Sequence, residues 1–154
     1  MAFVLIVDDE QTRQLRDSGV SLGLLFEKAP DPYFLGNLKG TFVDVNKAAE
    51  ELTGYAREEL IGKSFLKLKL LSPKQIAKAT TLIARNALGK DTGPDEFILT
   101  RKDGKQVPVE IRTHPVKIQG KQVVLGLVRD ITERKRAKEA LRERVKELGC
   151  LHAI

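Results

Sequence analysis

The chain has 154 residues, is 42% hydrophobic and 31% charged, and carries a net charge of +6. That length suits one globular domain with flanking helices, and the single cysteine, Cys150, excludes an intramolecular disulfide and suits a reducing cytoplasm. No apolar run is long enough to span a bilayer, no signal peptide is visible, and 5% aromatics without Trp supply no stacking platform, so a cytoplasmic protein without a nucleic-acid partner is expected.

In chain order, Phe3 to Val7 reads as a strand ending in Asp8-Asp9-Glu10. This opening resembles the first strand of a response-regulator receiver, where adjacent acidic residues help to hold magnesium. The likeness stops within residues 1–10 and leaves no room for a phosphoacceptor, so those residues read as a leader and no metal site is assigned. Residues 11–28 form an amphipathic flanking helix with Leu15, Leu22, Leu25 and Phe26 as anchors, weakened by Gly19 and Gly23. Ala29-Pro30-Asp31-Pro32 breaks the chain before the main domain, residues 29–131.

Tyr33 to Val45 reads as two short strands around a glycine-containing turn. Asn46 caps a helix over Lys47 to Thr53, with Gly54 as its stop; a further turn over Arg57 to Ile61 stops at Gly62. Ser72-Pro73-Lys74-Gln75 starts a longer helix that carries Ile76, Ala79, Ile83 and Ala87 inward and ends at Gly89. Glu96 to Thr100 is a strand, and Lys102-Asp103-Gly104-Lys105 turns the chain back. In the next strand Val107, Val109, Ile111 and Thr113 alternate with Pro108, Glu110, Arg112 and His114, and the first set should face the core. Gln119-Gly120 leads into an apolar strand from Val123, and at Asp130-Ile131-Thr132 the period changes to that of a helix. Asp130 can cap this exit helix, with Glu133 completing a capping-box-like pattern. Residues 132–154 then read as a helix, and Arg142 to Ile154 resembles the linker that leads to the output module of some sensor histidine kinases.

Four motifs occur in a specific order: Gly40 to Tyr55, then Glu58-Glu-Leu-Ile-Gly62, then Arg101-Lys-Asp-Gly104, then Asp130-Ile-Thr-Glu-Arg134. Together they resemble the PAS domain family over most of Leu25 to Glu147. The resemblance implies an α+β fold with a five-stranded antiparallel sheet, helices over one face, and a pocket between them. It also implies a sensory and dimerising role within a larger signalling protein.

Flavin-bearing photosensory relatives carry a reactive cysteine just after the glycine matching Gly62; here Gly62-Lys-Ser-Phe-Leu66 has none. Haem-bearing relatives place a histidine on the long helix before the third strand, and Ser72 to Gly89 has none. No cofactor is therefore expected. His114 falls on a polar strand face, and His152 lacks the acidic and proline-containing surroundings of a phosphoacceptor. The candidate pocket lining is Tyr33, Phe42, Leu52, Tyr55, Phe65, Ile83, Phe97, Leu99, Val109, Ile111 and Leu125. These residues either pack as core or enclose a small apolar metabolite.

No catalytic motif is present, and the pairs Glu50-Glu51 and Glu58-Glu59 diverge around their helices, so no enzyme activity is expected. The expected function is the sensory module of a cytoplasmic two-component signalling protein, a sensor histidine kinase in first place. Asp130, Ile131 and Thr132 would relay sheet or pocket changes to the exit helix. A parallel homodimer would use Leu15, Leu22, Phe26, Leu141, Val145 and Leu148, with Ile131, Arg134 and Lys138 in the same heptad register. The alternatives are a ligand-free dimerisation scaffold and a cofactor-bearing redox or light sensor.

Overall fold

A computed structural model describes residues 22–118 and 120–149. The leader, Leu15, Cys150, His152 and the side chain of Leu22 lie outside the described residues. The order is α1 (Leu22–Lys28), β1 (Tyr33–Gly36), β2 (Phe42–Val45), α2 (Lys47–Thr53), α3 (Arg57–Leu60), α4 (Pro73–Ala87), β3 (Thr92–Thr100), β4 (Gln106–Ile118), β5 (Lys121–Asp130) and α5 (Thr132–Glu147). The strands form one sheet in the order β2-β1-β5-β4-β3. Every neighbouring pair is antiparallel. The expected α+β architecture is therefore the observed one, with β3 beginning at Thr92 rather than Glu96.

Local chemistry explains the helix boundaries. Asn46 is fully buried, and its Oδ1 accepts from Ala49 N at 3.0 Å and from Tyr33 N at 2.9 Å. Its Nδ2 donates to Asp31 O at 2.9 Å, so one amide caps α2 and ties it to the start of β1. Gly54 ends α2 at φ 78°, a conformation that glycine adopts without steric cost. Arg57 then locks α3 to the sheet, with Nη2 2.6 Å from Oδ1 of the buried Asp44.

Gln75, near the start of α4, donates from Nε2 to Ser72 Oγ at 3.2 Å and also reaches across to the sheet. Its side chain donates from Nε2 to Ile98 O at 2.9 Å and accepts from Ile98 N at 2.6 Å. The helix start thus covers polar groups on the outer margin of β3, which borders the sheet.

Both faces of the sheet carry an apolar cluster, but the two are differently covered. On one face Phe97, Leu99 and Val109 pack with Ala79 of α4 and with Leu70. On the other, Phe26 of α1 is buried at 4% against Leu35 and Val123, with Tyr33 and Leu125 beside it. Phe26, expected on a dimer seam, is therefore enclosed by its own chain, while Leu25, expected as an anchor, is exposed. Ile131, also placed in the seam register, is 2% exposed.

The start of α5 rests on this second face. In the β3–β4 register Glu96 lies directly opposite Glu110, a like-charge pairing that is unfavourable in isolation. The exit helix supplies the compensating cations. Arg134 Nη1 reaches Glu110 Oε2 at 2.8 Å, and Lys135 Nζ reaches Glu96 Oε2 at 3.1 Å.

Candidate functional site: a cavity between sheet and helices

A cavity of about 160 Å³ lies between the first face of the sheet and helices α2 and α4. Of the expected lining, Phe42, Leu52, Phe65 and Ile83 contribute from the β1–β2 and helical side, and Phe97, Leu99 and Ile111 from the strands. Tyr33, Tyr55, Val109 and Leu125 do not line it. Tyr33 and Leu125 belong to the opposite face, one residue out of phase with Phe34 and Val124, which do line the cavity. Val109 is fully buried in the adjoining core, and the Tyr55 hydroxyl donates to Leu68 O at 3.3 Å.

Phe34 reaches the cavity because of a close approach on the next strand. A Cβ built on Gly126 would sit 2.1 Å from the Phe34 ring, so only glycine lets the ring lie across β5. The ring then meets Phe42 edge-on at a centroid separation of 5.6 Å.

The lining contains no charged side chain, histidine or cysteine. It does contain a buried polar corner absent from the expected set. Asn86 on α4 and Thr113 on β4 both line the cavity and are 2% and 9% exposed. Asn86 occupies the inward position expected for Ala87, which is exposed. From Ala79 the inward face runs through Leu82 and Ile83 to Asn86, the i, i+3, i+4, i+7 progression of a helix. Thr113 Oγ1 donates to Asn86 Oδ1 at 3.1 Å, and Asn86 Nδ2 donates to Lys90 O at 3.0 Å. The hydroxyl of Thr92, itself 7% exposed, is hydrogen-bonded to that of Thr113.

β5 connects the cavity to the exit helix. Val124 and Val128 line the cavity, and two residues beyond Val128 the strand ends at Asp130. The helix N-cap is Ile131 rather than the expected Asp130. Asp130 still reaches the first turn, its Oδ1 accepting from Thr132 N at 2.8 Å and from Thr132 Oγ1 at 2.5 Å. This turn, stabilised by an aspartate side chain, takes the place of the expected reciprocal box with Glu133. The backbone N–H of Ile131 donates to Pro108 O at 3.0 Å, which continues β4 contacts into the helix start.

Electrostatics concentrate outside the cavity. The Glu96 carboxyl is held below its ordinary range, first by its hydrogen bond with Lys135 and then by the charges of Lys135 and Arg134. Glu59 is lowered chiefly by its hydrogen bond with Lys102, so it is ion-paired rather than simply solvated. His114 lies on the second face, its Nδ1 3.3 Å from Asp91 Oδ1 at the surface. Leu141 and Leu148 of α5 are 63% and 70% exposed, and Val145 between them is half-buried. Among the described residues there is no cluster of three potential metal ligands, and no helix is long and apolar enough to cross a membrane.

Comparison with known proteins agrees with this geometry. The family model described as PAS domain matches residues 30–133. A methyl sulfide methyltransferase-associated sensor from Methanosarcina acetivorans is 23% identical over 143 residues, spanning 92% of this chain and 14% of the relative. The oxygen sensor protein DosP of Escherichia coli is 33% identical over 103 residues, spanning 64% of this chain and 12% of the relative. The chain therefore covers well under a fifth of either relative's length. Among solved structures, a domain of a sensory box sensor histidine kinase/response regulator from Geobacter sulfurreducens superposes with a TM-score of 0.61 at 26% identity, covering 80% of this chain and 98% of that one. With the family model spanning most of its length and the sheet order as described, this chain belongs to the PAS domain family, the sensory modules found in sensor histidine kinases and related regulators.

Proposed function

We propose that this chain is the sensory module of a longer cytoplasmic signalling protein, a sensor histidine kinase in first place. In this reading, occupancy of the cavity changes the pose of α5 and thereby the state of a covalently linked output domain. One observation carries the reading: the strand that lines the cavity through Val124 and Val128 runs directly into a helix held by Asp130 and by ion pairs to the sheet. A ligand that favours one of two helix poses shifts the population by its differential affinity for them. Support for the signalling context comes from the sensor relatives and from the histidine kinase domain of similar fold.

The module works without haem or flavin. A lining without histidine or cysteine fits neither a haem ligand nor a flavin–thiol photocycle, and about 160 Å³ falls short of the roughly 300–1,000 Å³ that holds a drug-sized ligand. The exposed Leu141 and Leu148 support a parallel homodimer along α5, aided by the segment before α1. Because Arg134 and Lys138 share that heptad register, the association is weak.

Xenon tests the relay, since it enters dry apolar cavities without offering a polar contact. Amide NMR under xenon pressure should show shifts at the cavity lining that extend through Asp130 into residues 132–141. Shifts confined to the lining would reject the relay and leave the scaffold reading. The purified protein should be colourless, and a stoichiometric flavin or Soret band would reject the cofactor assignment. Sedimentation showing only monomer at high concentration would reject the dimer.

A further inference from the structure

The buried polar corner specifies the chemistry of the occupant more closely than the apolar lining does. A backbone carbonyl can only accept, so the bond to Lys90 O fixes the Asn86 amide with its nitrogen towards Lys90 and its oxygen towards Thr113. The Thr113 hydroxyl must therefore donate to Asn86. It follows that the Thr92 hydroxyl must donate to Thr113, because the Thr113 proton is already used. The direction of the chain is thus set from Thr92 to Thr113 to Asn86.

Counting what remains gives the recognition code. One of the two Nδ2 hydrogens of Asn86 has no partner among the described residues, and Thr113 Oγ1 keeps one acceptor site. Asn86 and Thr113 are both buried and both line the cavity, whose remaining polar residues are Asn37, Thr41 and Thr53. A hydroxyl group has the matching pair of functions, since it accepts through oxygen and donates its own hydrogen. An ion is disfavoured, because no charged side chain lines the cavity to offset its loss of hydration. Size is bounded as well, since an engineered apolar cavity of about 150 Å³ takes up benzene.

Resting on the sensing role proposed above, we infer that the cavity selects a small neutral molecule with an apolar body of about benzene's size and one hydroxyl group. The hydroxyl accepts from Asn86 Nδ2 and donates to Thr113 Oγ1. The other polar residues of the lining are less suited to this task, and Thr41 among them is only half-buried. Thr53 Oγ1 donates to Ala49 O, and Asn37 Oδ1 accepts from the N–H groups of Lys39 and Thr41 in a half-buried turn.

Toluene and phenol, equal in non-hydrogen atoms, test this by protein-observed NMR titration. Both should saturate, with the phenol Kd within about threefold of the toluene Kd or tighter. In a wholly apolar cavity the unpaired hydroxyl would weaken phenol by tenfold or more. Phenol, but not toluene, should shift the Asn86 side-chain amide signals, a readout that needs no variant. Thr113→Val should weaken phenol about tenfold relative to toluene, and Thr113→Ser should restore the wild-type ratio. If toluene binds while phenol is more than tenfold weaker, or leaves the Asn86 signals unmoved, the hydroxyl assignment is wrong and the cavity-sensing role survives. If neither probe binds, both readings fail.

Discussion

Removing Arg134 probes the attachment of the exit helix where the electrostatic demand is greatest. Glu110 and Glu96 face each other across β3 and β4, and the Glu110 side chain is only 10% exposed. Arg134 is 58% exposed, so the ion pair alone, screened by solvent, is worth about 0.2–1 kcal/mol. Its loss also leaves a buried carboxylate with Arg112 Nη2 at 3.5 Å as its remaining cationic neighbour, and an unsatisfied buried acceptor costs about 1–3 kcal/mol. Because Arg112 still partners Glu110, the low end of each range applies, which places Arg134→Ala at about 1–2 kcal/mol against docking of the helix start, a roughly 5- to 30-fold larger population of the undocked form. Glu110→Gln should cost less, because the amide oxygen can still accept from Arg134 and the facing charges are reduced. Amide hydrogen exchange in residues 132–141 should accelerate by that factor in Arg134→Ala, while residues 123–128 of β5 stay protected. Arg136→Ala, on the same exposed helix, serves as the control. Equal acceleration in both segments, or the same effect from Arg136→Ala, would refute the clamp.

Three further outcomes follow from the same geometry. Asp130→Ala removes the acceptor for Thr132 N and should cost about 0.5–2 kcal/mol in urea unfolding, with loss of protection centred on Thr132 and Glu133. Gly126→Ala drives a methyl into the Phe34 ring and should cost about 1–3 kcal/mol; Phe34→Leu in the same chain should recover part of it, and additive losses would exclude the contact. Because the Glu96 carboxyl is depressed in the folded protein, its contribution is present above the ordinary value of 4.5 and is lost as pH falls through the lower folded value. Hydrogen exchange along α5, corrected for intrinsic rates, should therefore rise on acidification below that point, and Glu96→Gln should flatten the dependence.

Much of this organisation is legible in the sequence because turns and caps are local. Asn46, Gly54 and Lys102-Asp103-Gly104 act on backbone groups a few residues away, and the elements they delimit appear where expected. Side-chain direction is less accessible in short strands. β1 spans only four residues, and both of its faces are apolar because α1 covers the second one. Nothing local therefore distinguishes Tyr33 from Phe34, or Leu125 from Val124, as the residue that meets the cavity. Asn86 escaped for a different reason: hydrophobicity favours Ala87, whereas helical spacing from Ala79 points to Asn86. The clamp of Glu96 and Glu110 with Arg134 and Lys135 joins residues far apart in the chain, and only the β3–β4 register reveals the like charges that require it.

The Gln75 amide on the margin of β3 has a consequence for solubility. A bare strand margin is a template on which other chains can polymerise, and Ile98 there is 38% exposed with apolar neighbours in sequence. By occupying both backbone groups of Ile98, Gln75 makes an incoming strand displace the first turn of α4 before it can add. Fraying of that one turn, long before the sheet itself melts, would set the onset of aggregation on heating, and Gln75→Ala should lower that temperature more than it lowers Tm.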